Sequence, residues 1–122
     1  MTAWTIRRAL PLACLMALPL GACVSAGADS AGRASTLATT VSRAHACKAG
    51  APQRTTLDRF LAAEQARGAS PEQLAAARST YVTVSEAEMV NQSVKPQACT
   101  PEEREVLKRR MAEIRAGTFD PR

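Results

Sequence analysis

Apolar positions along this chain fall into three regimes. Ala9 to Leu20 is a run rich in Leu and Ala, preceded by Arg7 and Arg8 and by no acidic residue. That order of charge and then apolar run is the order of a secretory signal, and the run is shorter than the about 20 residues a bilayer span needs. Cys23 to Ser35 is mostly Gly, Ala and Ser with almost no large side chain. Such a stretch cannot bury enough apolar surface to order itself, so residues 23–35 are predicted to be a flexible tether. From residue 36 to residue 122 apolar residues return at three- and four-residue spacing, which predicts one small domain of amphipathic helices.

Within that domain, Leu37, Val41 and Ala44 mark a short first helix that begins at Thr36 and ends before Gly50 and Pro52. Thr55 or Thr56 opens a second, in which Leu57, Phe60 and Leu61 share a face and Gly68 supplies the stop. Ser70-Pro71-Glu72-Gln73 opens a third: Ser70 caps free amides, Pro71 suits the first helical position and Gln73 reaches back in a capping box. Leu74, Ala77, Tyr81 and Val84 carry its stripe onward. Thr80 to Val84 also suits a short strand, and Ser85 with Glu88 offers a second start. With no other strand to pair, a continuous or kinked helix to about Asn91 is the preferred reading. Thr100-Pro101-Glu102-Glu103 opens the last helix, which runs to about Ala116 and ends at Gly117. Its buried stripe is Leu107, Met111 and Ile114 with Val106 beside them, and Glu105 and Arg109 sit one turn apart outside. The fold class is therefore mainly α, three to four helices.

Leu20-Gly21-Ala22-Cys23 resembles the bacterial lipobox, in which an aliphatic residue and two small ones precede a cysteine. The resemblance covers only the signal. It implies a signal peptide over residues 1–22 and lipidation of Cys23, which becomes the mature N-terminus. The residue after it is Val24 and not aspartate, which implies an outer-membrane anchor facing the periplasm. Ala26-Gly27-Ala28 also fits the small-x-small pattern of ordinary cleavage, which releases a soluble periplasmic or secreted protein. Either route takes the domain out of the cytoplasm. Arg7-Arg8 lacks the neighbours of a twin-arginine signal.

Removing the signal changes the composition. The chain of 122 residues carries a formal charge of +5, and loss of Arg7 and Arg8 lowers it to +3. Trp4 goes too, leaving Phe60, Tyr81 and Phe119 as the only aromatics for a thin core of Leu, Val, Ala and Met. Lys108-Arg109-Arg110 lies among Glu102, Glu103, Glu105 and Glu113, the pattern of a solvated helix face, so no nucleic-acid partner is expected.

Four cysteines remain to be placed. Cys14 lies in the signal and Cys23 at the lipobox, which leaves Cys47 and Cys99 to pair as a disulfide in an oxidising compartment. Closing that loop stabilises the fold by about 4 kcal/mol in the chain-entropy model, which compensates for the thin core. His45 beside Cys47, with Cys99, is the alternative use of the same residues as a soft metal site, but three ligands without a second clustered pair fall short of one. No metal and no cofactor are expected.

Nothing in the chain advertises catalysis. There is one histidine, three aspartates and no serine in a nucleophile-elbow context. Glu86 and Glu88 diverge on a helix, and Glu102 and Glu103 are explained by the helix N-terminus. No phosphate loop or calcium loop is present, and no small-molecule substrate is identified.

The reading that follows is a lipid-anchored envelope protein with a structural or adaptor role, not an enzyme, docking to an envelope protein through an exposed stripe such as Val82, Met89, Val90 and Val94. Gln97-Ala98-Cys99-Thr100 at the mouth of a charged helix, with the partner cysteine upstream, resembles the small acid-activated periplasmic chaperones. That resemblance is local to Gln97–Arg110 and implies clients bound to apolar surface at low pH. Cys47-Lys48-Ala49-Gly50 departs from that family's pattern, and the family is not normally lipidated. A third reading is an exported inhibitor or ligand-binding module, for which a concave apolar pocket is the discriminating feature.

Overall fold

The structure is a computed structural model that describes residues 29–120. The signal peptide, Cys23 and the alternative cleavage point after Ala28 lie outside the described residues. The domain is four helices: α1 Ser30–Ala46, α2 Thr56–Ala66, α3 Pro71–Val94 and α4 Pro101–Arg115. Among the described residues there is no strand, and no helix is long and apolar enough to cross a membrane.

The helix starts follow local chemistry. Ser70 accepts from the Gln73 amide while the Gln73 side chain accepts from the Ser70 amide, so the capping box at α3 is closed on both sides. Thr100 accepts from the Glu103 amide at the head of α4. Thr80 to Val84 is helical, and α3 runs unbroken for 24 residues. The β-branched run yields because no partner strand exists to satisfy its backbone, whereas the helix satisfies its own.

One boundary is corrected. The tether expected to reach Ser35 ends earlier, because α1 begins at Ser30 and Asp29 caps it by accepting from the Gly32 amide at 2.6 Å. Ser30 and Ala34 are buried in the fold. These small residues carry no hydrophobic period of their own; they are helical because tertiary contacts cover them.

The first three helices run up, down, up. Glu64 in the last turn of α2 meets Ser30 in the first turn of α1, which sets those two helices antiparallel. Asp29 and Arg33 border Gln73 at one end of the bundle, while Ser42 and His45 border Ser85 and Gln92 at the other, so α1 and α3 run in the same direction. Arg43 meets Glu103 at the head of α4, the Arg115 carbonyl in its last turn accepts from Arg59 in the first turn of α2, and Phe119 beyond it packs edge-on to Phe60, so α4 lies across the end of the bundle that holds the close of α1 and the start of α2. Leu37, Val41, Phe60, Leu61, Leu107, Met111 and Ile114 form one core with Ala34, Ala44 and Ala77, and Leu74 and Tyr81 pack at its edge. Gly50 has φ 153°, and a Cβ there would lie 3.1 Å from Met111 Cγ, so this position lets the loop after α1 close over α4.

Candidate functional site

The disulfide predicted from the sequence is present. Cys47 and Cys99 are bonded across 52 residues, with Cα atoms 5.6 Å apart, and tie the end of α1 to the approach to α4. Polar contacts reinforce this junction. Arg43 makes a forked pair with Glu103, at 2.6 Å through Nε and 2.9 Å through Nη2, and Arg104 Nε donates to the Cys47 carbonyl at 3.0 Å. The hydrogen bond from Arg43 holds the Glu103 carboxyl below the usual carboxylate range, and the same bond raises the guanidinium. Among the described residues, one group of side chains brings three potential metal-ligand atoms within 4.8 Å of one another: Cys47, Cys99 and Glu103. Here both sulfurs are spent on each other and Glu103 on Arg43, so the group acts as a structural clasp. His45 is exposed and is not part of it.

The Lys108-Arg109-Arg110 run disperses into local pairs. Lys108 bonds Glu105 at 2.8 Å, with Arg109 exposed one turn beyond Glu105 as expected, and Arg110 bonds Glu113 at 2.8 Å and the Phe119 carbonyl at 2.7 Å. Lys108 draws Glu105 below the usual carboxylate range. Of the two glutamate pairs, Glu86 is exposed while Glu88 is half-buried, and Glu102 is exposed while Glu103 is held by Arg43. Val106, expected beside the α4 stripe, is exposed, because the next position, Leu107, takes the core side.

Sequence inspection missed the buried acid. Glu64 is 1% exposed and accepts from Ser30 Oγ at 2.7 Å and from Arg33 Nε at 2.9 Å, with Arg33 Nη2 donating as well and Arg67 nearby at 3.8 Å. Burial pushes its carboxyl up, but the hydrogen bonds from Arg33 and Ser30 outweigh this and hold it below the usual range. All its partners except Arg67 lie more than 30 residues away in sequence, so no local signal marks it.

The apolar surface left after packing lies on α3. Val82, Met89, Val90 and Val94 are exposed, with Met89 at 72% and Val94 at 79%. Beside them a groove of about 420 Å³ runs between α1 and α3, bordered by Val41, His45, Pro52, Tyr81, Glu88 and Met89. Burial raises the Tyr81 hydroxyl above its ordinary value. Groove and stripe share Met89 and occupy the C-terminal half of α3, at the end of the bundle away from Asp29.

No family model matches the chain, and comparison with curated proteins and with solved structures found no match.

Proposed function

We propose that this chain is an exported, lipid-anchored envelope protein whose helical domain acts as a non-catalytic adaptor, acylated at Cys23 and docking to a partner protein through the outer face of α3. The observation that carries the reading is the exposed apolar surface of Val82, Met89, Val90 and Val94. Met89, Val90 and Val94 stand within two turns of one helix, and apolar side chains left in solvent this close together support a contact surface. The lipobox supports the anchor, and Val24 favours the outer membrane facing the periplasm. With the anchor at Cys23, Asp29 is the first described residue beyond it, and the apolar surface lies at the other end of the bundle.

The test is intact mass of the protein from membranes of its host, with and without reduction, joined to photocrosslinking from position 90. Acylated mass on a chain beginning at Cys23, two hydrogens gained on reduction and one discrete crosslinked protein are the expected results. A chain beginning at Asp29 without lipid overturns the anchor, and no crosslink from position 90 overturns the docking surface.

A second reading is favoured by the groove itself. Its concave apolar walls suit a small hydrophobic ligand, which is the feature that separates a ligand-binding module from an adaptor. Native mass spectrometry of the host-purified protein decides it: a co-purifying small molecule lost on Met89→Asp supports the ligand, and its absence returns the groove to the partner.

A further inference from the structure

The fold gathers cations that the sequence scatters. Among the described residues, Arg33, Arg43, Arg67, Arg78 and Arg110 each pair with a carboxylate. Arg59, Arg104 and Arg115 form no such pair and are held by main-chain carbonyls instead: Arg59 donates to Arg115 at 2.8 Å, Arg104 to Cys47 at 3.0 Å and Arg115 to Ala51 at 3.5 Å. A carbonyl orients a guanidinium but carries no net charge to cancel it, so these three are positioned and still fully cationic. Arg104 and Arg115 stand eleven residues apart on α4, about three turns, and therefore project from one side of the helix. The loop after α1 lies along that side, with Gly50 against Met111 between them, and exposed Lys48 and Arg54 extend the row on the loop. Neighbouring acids are engaged elsewhere: Glu105 bonds Lys108, and Asp58 bonds Arg78 on the side of α3.

Charge and shape narrow the occupant. Five cations on one face set up a positive field, and a guanidinium fork matches a carboxylate or a phosphate in two parallel hydrogen bonds. The row from Arg104 to Arg115 is about 16 Å long, more than one small anion covers and about the span of five residues of extended chain. A bilayer fits poorly: from Ala51 to Thr55 the exposed residues are Ala, Pro, Gln, Arg and Thr, with no aromatic or long aliphatic side chain to enter it. A nucleic acid fits poorly too, since the row offers no aromatic ring on which a base could stack. An extended protein segment rich in Asp and Glu meets the charge, the length and the fork geometry together.

We infer that the face formed by α4 and the loop after α1 binds an acidic segment of another protein, with Arg59, Arg104 and Arg115 as fixed forks and Lys48 and Arg54 as flanking charges. The face shares no residue with the apolar surface of α3, and the inference depends neither on that surface nor on the lipid anchor. Such a contact speeds encounter and selects partners by charge.

The test is fluorescence anisotropy of a fluorescein-labelled hexaglutamate peptide titrated with the chain purified from its host, at about 20 mM salt, where surface charges are little screened. Binding is expected, with hexalysine as the peptide that does not bind. Arg59→Gln with Arg115→Gln weakens it about tenfold. Lys48→Gln with Arg54→Gln, at exposed side chains that hold no part of the fold, weakens it about fivefold. Ala76→Glu with Ser79→Glu lowers the net charge by the same two on the exposed side of α3 and changes binding by less than about twofold. No binding of hexaglutamate overturns the inference, and so does an equal loss in the α3 variant, which would reduce the effect to net charge. Unchanged binding in the Lys48 and Arg54 variant overturns it as well. Tighter binding of an oligothymidylate of equal charge assigns the face to nucleic acid. Flotation of the Cys23→Ser chain with phosphatidylglycerol vesicles, abolished by Lys48→Gln with Arg54→Gln, assigns it to lipid; either result overturns the acidic segment.

Discussion

Ser30 Oγ donates to the Glu64 carboxylate at 2.7 Å, joining the first turn of α1 to the last turn of α2. With Arg33 on the same carboxylate, this contact fixes where α1 begins, seven residues after Cys23. The chain from Cys23 to Asp29 reaches at most about 20 Å when fully extended, so an anchored domain stays close to its membrane.

Glu64 also makes the fold sensitive to acid. Its carboxyl titrates below the ordinary range in the folded state and within that range when unfolded. Between the two values the unfolded chain holds more protons, so stability rises with pH there. The contribution is complete above about pH 5–6 and is lost as pH falls through the folded value. Glu103 shifts in the same direction through Arg43. Urea unfolding at pH 7 and pH 3 is expected to show lower stability at pH 3, and Glu64→Gln is expected to lessen the difference. At neutral pH Glu64→Ala is expected to cost about 3 kcal/mol, because Arg33 and Ser30 lose their acceptor. A pH response identical in Glu64→Gln and the parent chain would assign the acid sensitivity to other carboxylates.

The disulfide closes a loop spanning 52 residues around α2 and α3. Replacing Cys47 and Cys99 by alanine together is expected to lower stability by about 4 kcal/mol in the chain-entropy model. Either single replacement should cost about as much as the pair, since one cysteine cannot form the bond. Chemical denaturation of the three variants, with the parent chain measured under reductant, checks this. Arg43, Glu103 and Arg104 would keep the junction partly ordered after reduction, so near-ultraviolet dichroism should weaken without loss of the helical signal. Complete helix loss on reduction would show that the polar contacts cannot hold the junction.

At the head of α3, Ser70 and Gln73 satisfy each other's amides. Ser70→Ala is expected to cost about 1 kcal/mol, and Thr100→Ala a similar amount at α4. Thermal melts of the two single variants and the double variant test whether the caps act independently: additive losses are expected because they serve different helices.

How much of this was legible in the sequence depends on where the governing partner lies. The starts of α3 and α4 were readable because cap, proline and N3 residue stand within four positions, and their hydrogen bonds are local. Cys47 and Cys99 were readable by elimination once Cys14 and Cys23 had other places. The start of α1 was not, because Ser30 to Ser35 has no apolar period and is held by Glu64 from another helix. Glu64 itself reads as one more solvated helix acid until α1 covers it. The apolar face of α3 was visible as Val82, Met89, Val90 and Val94, but the groove beside it needed α1 in place.

Core and candidate surface separate cleanly in their expected response to mutation. Phe60 is fully buried, and its ring meets that of Phe119 edge-on with centroids 5.6 Å apart. Phe60→Ala leaves a cavity in a core with few aromatics and is expected to cost about 3–5 kcal/mol, close to the loss from the disulfide. Val90 and Val94 face solvent, so Val90→Asp with Val94→Asp should change stability by no more than about 0.5 kcal/mol. Their removal from contact with a partner is therefore readable as lost binding and not as unfolding. Denaturation and photocrosslinking from position 89 of the same double variant settle the distinction: a stable variant that no longer crosslinks assigns the face to recognition. A destabilised one would mean that α3 uses this face to hold its own fold.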